Sequence, residues 1–373
     1  MNNDLIKLIE ERIEREGPIT FEQFMDMALY YREHGYYTSD RTEIGRRGDF
    51  YTSPHLHPVF GMIMARQVIE CWEALNRPSD FMVIEQGAGK GYLAGDMLDY
   101  LRDKEIYGSL SYRIIEINPH IRMAQEELLN EHSHLVSWSG STEDLSGIEG
   151  CFISNELPDS FPVHLVVIDN GLKEIYVDKD RDGFKELALA PSTNDLQGYL
   201  DEFDISLPEG YRSEINLRIK EWLRNVSEIF RRGFIVTIDY GYSAEDYYGE
   251  DRDRGTLMCY HRHQVNENPF INIGDQDITA HVNFSSMKKW GEDVGLTAAG
   301  LAGQGIYMVS MGFDEIISEK FLGRDDYQVE VAKMKGLIMP SGMGESHKVM
   351  VQYKGLDGPR LRGFDIRNRV NTL

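Results

Sequence analysis

An apolar strand that ends in an acid and runs directly into three alternating glycines constrains the fold of this chain more than any other feature. The segment FMVIEQGAGKG places Glu85 at the end of the apolar run, and it then contains Gly87, Gly89 and Gly91. Glycines at this spacing permit a tight turn and let the backbone come very close to a ligand, with a helix N-terminus just behind the turn. The segment therefore predicts a strand, a turn and a helix that together contact a ligand.

The segment does not match either of two motifs that bind nucleotide phosphates. A dinucleotide fingerprint requires Gly-x-Gly-x-x-Gly, but here the third glycine is Gly91 and Tyr92 stands at the next position. A phosphate-binding loop requires a first glycine where Ile84 stands, and it requires Ser or Thr after the lysine, where Gly91 follows Lys90. The segment does not favour a phosphate ligand.

A second acid, Glu116, stands at the end of the next predicted strand and completes the pattern Glu-x-Gly-x-Gly-x-Gly followed by an acid. This pairing suits S-adenosyl-L-methionine (SAM), because a carboxylate can accept hydrogen bonds from both ribose hydroxyls and the glycines admit the methionine part. An alternative interpretation is that the glycines merely form a strand-to-helix turn and that Glu116 is a surface acid.

Short apolar strands alternate with helical segments from Phe81 to about Asn155, which predicts a doubly wound α/β fold with a mostly parallel sheet. Helices are predicted before this region, and a hairpin at 163–177 lies in an insertion after the fourth strand. A helix at 214–230, strands at 233–239 and 348–353, and helices at 285–294 and 314–321 follow. We predict four segments, 1–78 as a helical cap and active-site loop, 79–162 and 213–373 as the two halves of the sheet domain, and 163–212 as the insertion.

The charge balance restricts the partners of the chain. There are 62 Asp+Glu against 39 Lys+Arg, which gives a formal net charge of -23. Such a field repels nucleic-acid backbones and anionic membranes and attracts basic proteins. The apolar runs are too short to insert into a membrane, and the acidic, amphipathic N-terminus does not match a signal or transit peptide, so we expect bacterial cytoplasm.

The segment NELPDSFPVH follows the fourth predicted strand and supplies Asn155, Glu156 and Asp159. Because ligands bind at the carboxyl ends of parallel strands, these polar groups are expected to face the reacting centre. Carboxylates recognise a guanidinium bidentately, so Glu156 and Asp159 could hold an arginine and polarise one of its nitrogens. An Asx-turn that only caps the strand is the alternative.

His281, in DITAHVNF, is a candidate general base, although a satisfied structural histidine before a helix is the commoner case. The close spacing of His55 with His57 and of His261 with His263 does not suit a helical metal face, and three scattered cysteines do not form a zinc motif. We therefore predict no metal site.

The ordered set HGYYTS, GRRGDFYTSP, EQGAGKG, YRIIEINPHIRMAQ, NELPDSFPVH, IDYGY, RGTLMCYHRH, DITAHVNF and GMGESHKVMVQYKG resembles the MidA-type SAM-dependent methyltransferase family. This family includes mitochondrial arginine methyltransferases that assist the assembly of respiratory complex I. The resemblance extends from about Gly17 to Gly355. It implies a Rossmann-like class I methyltransferase fold with a seven-stranded sheet, an N-terminal helical cap and an insertion after the fourth strand.

The resemblance also implies site residues. Cofactor contacts are expected from the glycine turn, from the strand-end acids and Asn155, and from the GDFYTSP loop, whose contacts would be Gly48, Thr52 and Ser53. The family usually has Phe at Pro158, Arg at Leu165, an aliphatic residue at Gln86 and Asp at Asn283. Two of these departures, Leu165 and Asn283, lie near the expected substrate entrance. We therefore expect them to affect the choice of substrate more than the binding of the cofactor.

Together these features predict in-line methyl transfer from SAM to an arginine of a protein, with Glu156 and Asp159 polarising the guanidinium and Asp159 or His281 taking the proton. The expected partners are a complex I subunit or another basic protein, and a second copy of the chain in a homodimer. Two alternatives remain open. One is methylation of a small molecule or another protein group, and the other is an assembly factor that retains the SAM fold without catalysis.

Overall fold

The structure is a computed structural model that describes residues 2–40, 52–181 and 183–373. Amphipathic segments form most of the helices, and Thr20 begins the second helix with a capping box in which its side chain and that of Gln23 each accept from the other's backbone amide. The helices are α1 (Asn3–Glu16), α2 (Phe21–Tyr30), α3 (Ser53–Leu56), α4 (Val59–Ala74), α5 (Tyr92–Leu101), α6 (Pro119–Leu128), α7 (Asp195–Glu202), α8 (Arg218–Ile229), α9 (Ala244–Tyr247), α10 (Phe284–Asp293), α11 (Gln304–Ser310), α12 (Phe313–Lys320), α13 (Tyr327–Ile338) and α14 (Met343–Ser346).

Short runs rich in β-branched and aromatic residues form the strands. The strands are β1 (Ile19–Thr20), β2 (Phe81–Gln86), β3 (Leu110–Ile115), β4 (Val136–Ser139), β5 (Ile148–Asn155), β6 (His164–Ile168), β7 (Leu172–Asp180), β8 (Gly183–Leu189), β9 (Arg212–Ile215), β10 (Phe230–Tyr242), β11 (Met258–His261), β12 (Gln264–Asn266), β13 (Asp277–Thr279), β14 (Val282–Asn283), β15 (Thr297–Gly303) and β16 (His347–Lys354).

The described residues form two compact units, each assembled from three separate stretches of chain. The first unit contains described residues of 2–40, 158–221 and 242–286, and the second contains 52–157, 222–241 and 287–373. The four segments expected from the sequence stay a prediction about domain organisation. Among the described residues, no helix combines the length and the apolar character that crossing a membrane requires.

The second unit is built on a sheet with the strand order β15-β16-β10-β5-β2-β3-β4. The strands from β4 to β10 pair in parallel, whereas β16 is antiparallel to both β10 and β15. Central strands such as β5 are buried on both faces, with Cys151 and Phe152 fully inaccessible, as near-continuous apolar runs require. The α/β fold with a mostly parallel sheet, predicted from the alternation of strands and helices, is confirmed.

The first unit contains a second sheet in the order β1-β7-β6-β9, with β8 beside β7. Strands β6 and β7 form the hairpin predicted at 163–177, and its turn is closed by left-handed Asn170 and Gly171, with φ of 51° and 112°. Helices α1 and α2 pack their apolar faces on this sheet through residues such as Phe24 and Leu29.

The predicted helix at 214–230 begins later than expected. Residues 212–215 form β9 and pair with β6, so that Glu214 lies in a strand, and helix α8 starts only at Arg218. Pairing with a distant strand outweighs the local helical pattern here.

We predict that Gly150→Ala destabilises the protein, because Gly150 lies in β5 where this strand approaches β2. A Cβ atom at this position would lie 1.9 Å from the carbonyl oxygen of Met82, which is backbone and cannot move aside cheaply. The free energy of unfolding should fall by about 1–3 kcal/mol, as measured by urea denaturation. Gly108→Ala is the control, since a Cβ atom there meets nothing within 4 Å. Equal effects of the two substitutions would contradict the steric explanation.

Candidate functional site

The glycine turn lies at the carboxyl end of β2, as the sequence predicts. Gly87, Gly89 and Gly91 have φ of 74°, 52° and 85°, in the left-handed region that favours glycine, and Gly91 is the residue immediately before α5. A Cβ atom at Gly87 would lie 3.1 Å from Cδ1 of Leu157. The Gly87 position therefore has little room for a side chain, and its backbone is exposed.

Glu116 follows β3 and lies beside this turn. Strands β2 and β3 are parallel neighbours, with Gln86 opposite Ile115, and the Gly87 amide donates to the Ile115 carbonyl oxygen at 3.4 Å. One carboxylate oxygen of Glu116 accepts from the Asn118 amide at 2.8 Å. Burial raises the pKa of Glu116, while hydrogen bonds to its carboxylate oppose that rise. The turn and the second acid thus share one edge of the sheet, where the sequence predicts them.

Gln125, on α6, connects the turn to Glu116. This fully buried side chain donates from Nε2 to the Gly89 carbonyl oxygen at 2.6 Å and to the other carboxylate oxygen of Glu116 at 3.1 Å. The Trp138 indole N–H donates to Gln125 Oε1 at 2.9 Å and so fixes the orientation of the amide. Gln125 is a site residue that no sequence motif predicted. The only local signal is its place on the helix that follows Glu116.

Glu85 is buried beneath the turn at the end of β2. The Tyr112 hydroxyl donates to its Oε2 at 2.6 Å. Burial raises the pKa of Glu85 to about 7, although the hydrogen bond from Tyr112 opposes the rise. A substantial part of the Glu85 population is therefore a neutral carboxylic acid near neutral pH.

Asn155 and Glu156 lie at the carboxyl end of β5, the other neighbour of β2. Gln86 stands opposite Ser154, so Asn155 and the turn lie at the same edge of the sheet. Asn155 Nδ2 donates to Glu156 Oε1 at 3.3 Å, and the Glu156 amide donates to the Ile238 carbonyl oxygen at 2.8 Å. The second unit thus brings together the glycine turn, Glu116, Glu85, Asn155 and Glu156.

Asp159 and His281 belong to the first unit. The Asp159 side chain is buried. The backbone carbonyl oxygen of Asp159 accepts a hydrogen bond at 2.9 Å from the amide of Ala280, the residue before His281. The His281 amide donates to Thr256 Oγ1 at 3.0 Å, and its ring contacts Tyr242 with centroids 5.3 Å apart. His281 also lines a cavity of about 640 Å³ together with Arg212, Glu214 and Arg252.

The predicted contacts from the GDFYTSP loop are only partly described. Gly48 lies outside the described residues. Thr52 Oγ1 lies 2.6 Å from His55 Nδ1, and the buried Ser53 hydroxyl donates to Gln304 Oε1 at 2.9 Å. The polar atoms of Thr52 and Ser53 are thus engaged in contacts within the second unit, and their role at the cofactor stays a prediction.

Two departures from the family pattern have structural roles in the first unit. Leu165 is a fully buried residue of β6 within the apolar core. Asn283 accepts at Oδ1 from the Ser285 amide at 3.0 Å, close to the start of α10, and donates from Nδ2 to the Tyr199 hydroxyl at 2.7 Å. Both residues are accounted for by packing and hydrogen bonding. Within the described part of the chain, no group of three or more His, Cys, Asp or Glu side chains could hold a metal ion.

Comparison with protein families gives the decisive match. A family described as "Putative S-adenosyl-L-methionine-dependent methyltransferase" matches residues 63–302, more than half of the chain. The chain belongs to this methyltransferase family. SAM is its methyl donor, as the glycine turn and Glu116 predicted, and the resemblance drawn from the sequence motifs is confirmed.

Relatives cover nearly the whole methyltransferase. A crystal structure of a Burkholderia thailandensis protein bound to S-adenosyl-homocysteine matches 100% of this chain and 97% of its own, with 30% identity and a TM-score of 0.91. The mitochondrial protein arginine methyltransferase NDUFAF7 homolog of Drosophila melanogaster is 26% identical, over 98% of this chain and 88% of its own length. The mitochondrial protein arginine methyltransferase NDUFAF7 of Homo sapiens is 24% identical, over 95% of this chain and 85% of its own.

We predict that Gln125→Leu weakens SAM binding by about tenfold, the equivalent of one net hydrogen bond to a charged group. The substitution keeps a side chain of similar size but removes the Nε2 donor shared by Gly89 and Glu116. Calorimetric titration of the methyltransferase with SAM measures the effect. Gln328→Leu, at an exposed position of α13, is the control. Unchanged affinity together with lowered stability would assign Gln125 to folding alone.

We also predict that Glu85 makes stability depend on pH. Its pKa is raised to about 7 in the folded state and is about 4.3 in an unfolded chain. The folded state therefore binds the extra proton, and stability is highest below the unfolded pKa and is lost as pH rises through about 7. The loss attributable to Glu85 is on the order of 2–3 kcal/mol. Urea unfolding of the ligand-free protein and of Glu85→Gln at pH 5 and pH 8 measures it. Parallel pH profiles of the two proteins would contradict the assignment.

Proposed function

We propose that this SAM-dependent methyltransferase transfers a methyl group to an arginine side chain of a protein substrate. The observation that carries the proposal is the buried Glu156 carboxylate at the carboxyl end of β5, adjacent to the strand that supports the glycine turn. A guanidinium is planar and permanently charged, and a carboxylate accepts two of its N–H groups. The names of the Drosophila melanogaster and Homo sapiens relatives agree with this substrate class.

The residues at the edge of the sheet fit the methyl donor. The left-handed turn from Gly87 to Gly91 leaves backbone accessible for the methionine part, since side chains are absent there. Both oxygens of Glu116 accept hydrogen bonds within the protein and keep acceptor capacity for a ribose hydroxyl. Asn155, Glu85 and the GDFYTSP loop residues Gly48, Thr52 and Ser53 are further proposed contacts.

Bound SAM supplies a methyl group on a positively charged sulfur, and transfer needs no covalent bond to the protein. Positioning of the acceptor nitrogen is therefore the main task of the protein. In our proposal, Glu156 and Asp159 accept guanidinium N–H groups and concentrate electron density on the attacking nitrogen. Asp159 or His281 takes the proton that this nitrogen loses.

The charge of the chain agrees with a basic protein partner. A formal net charge of -23 increases the encounter rate with a cationic substrate, and the effect weakens as salt screens it. A subunit of respiratory complex I, which the family resemblance implies, is the first substrate to test. The homodimer and the cytoplasmic location predicted from the sequence stay predictions.

We expect Glu156→Ala and Asp159→Ala to lower methyl transfer at least about 100-fold while the SAM dissociation constant changes less than about twofold, because the two carboxylates act on the acceptor. Methyl transfer is measured with isotopically labelled SAM and a proteome extract, and mass spectrometry then identifies the labelled atom. Glu143→Ala, at an exposed position, is the control.

Each outcome of this experiment separates the candidate functions. Label on an arginine nitrogen supports the proposal. Label on a small molecule or on another side chain would replace the substrate class but keep the methyltransferase. Absence of SAM binding at high ligand concentration would favour a non-catalytic assembly factor, and full turnover in both variants would refute the roles of Glu156 and Asp159.

A further inference from the structure

Two buried polar atoms beside Glu156, Asn155 Oδ1 and His347 Nε2, have no hydrogen-bond partner among the described residues. Glu156 follows β5, and His347 begins β16, which is separated from β5 in the sheet only by β10. His347 Nε2 lies 3.6 Å from Glu156 Oε1, and both side chains are 9% exposed. All of these residues belong to the second unit.

Ser346 contacts the other ring nitrogen of His347, Nδ1. The Ser346 hydroxyl lies 3.4 Å from the Gly342 carbonyl oxygen, to which it can donate, and 3.0 Å from His347 Nδ1. In the neutral imidazole, a proton on Nδ1 leaves a lone pair on Nε2. In that tautomer, His347 Nε2 is an acceptor beside the Glu156 carboxylate.

Asn155, the residue before Glu156, presents a second acceptor. Its Nδ2 donates to Glu156 Oε1 at 3.3 Å, which leaves Oδ1 as the end of the amide without a partner. Asn155 Oδ1 and His347 Nε2 are both buried and accept no hydrogen bond from any described residue. Buried acceptors without donors are uncommon in native proteins, because each one costs about 1–3 kcal/mol.

The backbone at Glu156 supports a functional interpretation of this arrangement. Glu156 has a φ of 50°, in the left-handed region that a residue with a long side chain rarely adopts. Such strain persists only where the surrounding structure enforces it, and it is concentrated at functional sites. Lys348, the neighbouring cation on β16, donates its ammonium group to the Glu345 carbonyl oxygen.

We infer that Asn155 Oδ1, the Glu156 carboxylate and His347 Nε2 form a binding site for a positively charged group that carries several N–H donors. An ammonium or a guanidinium supplies donors for all three acceptors and a charge opposite to that of Glu156. The inference rests on the proposed function, which provides two sources of this chemistry. One is the guanidinium of the acceptor protein, and the other is the ammonium of the methionine part of SAM.

The test compares His347→Phe, which removes the acceptor but keeps a ring beside Tyr240, with His347→Gln, whose side-chain oxygen can restore it. His134→Phe, at an exposed histidine, is the matched control. Calorimetry measures the binding of SAM, of 5′-methylthioadenosine, which lacks the ammonium, and of Nα-acetyl-arginine amide in the presence of S-adenosyl-homocysteine.

If the ammonium occupies the site, His347→Phe weakens SAM binding by roughly 10- to 100-fold and leaves 5′-methylthioadenosine unchanged. If the guanidinium occupies it, only the arginine amide is weakened by that factor. In either case, His347→Gln recovers most of the affinity and His134→Phe changes none of the three. The two patterns identify the source of the bound cation.

Unchanged binding of both SAM and the arginine amide in His347→Phe would overturn the inference, and so would loss of affinity that His347→Gln does not restore. Should His347→Phe fail to fold, Asn155→Leu removes another acceptor of the same site and is expected to follow the same pattern. A wild-type protein that binds neither probe would also overturn it. A protein that binds the arginine amide but not SAM would instead refute the proposed methyltransferase site and retain the cation site.

Discussion

The parallel pairing of β2 with both of its neighbours is the constraint on which the candidate site depends. Gln86, the last residue of β2, stands opposite Ile115 of β3 and Ser154 of β5. The residue that follows each of these three positions is therefore Gly87, Glu116 or Asn155, and the backbone ladder holds all three at one level. A shift of register between β2 and β3 would move Glu116 away from the turn, and a shift between β2 and β5 would move Asn155 away from it.

Three glutamates near this edge of the sheet have the same side chain but different surroundings. Glu85 is buried against a tyrosine hydroxyl, and burial raises its pKa to about 7. Glu116 receives donors from a backbone amide and from Gln125, which favour its charged form. Glu156 receives one donor from Asn155 and lies 3.6 Å from His347 Nε2. The three carboxyl groups therefore differ in their burial and hydrogen-bond partners, although the residue type is the same, and these surroundings determine what each group can do.

The sequence predicts the features of this site that are local in the chain. A strand, a glycine turn and an acid at the end of the next strand lie within about 35 residues of one another, and their pattern is sufficient to predict both the fold and the cofactor. Glu214 shows where local patterns fail, since its helical context is outweighed by pairing between β9 and β6. Gln125 and His347 were not identified because their partners become neighbours only after the sheet has formed. No local pattern distinguishes a glutamine on a helix that holds a turn from one that faces water.

The position of β16 has a consequence for synthesis of the protein on the ribosome. This strand comes last in the chain, yet it occupies an internal place in the sheet between β10 and β15. Until residue 354 has emerged, the nascent chain holds β10 with one unsatisfied backbone edge, and β15 has no strand to join. An open, apolar edge of this kind can pair with other chains. A premature stop codon upstream of β16 would thus produce an aggregation-prone fragment rather than a shortened enzyme.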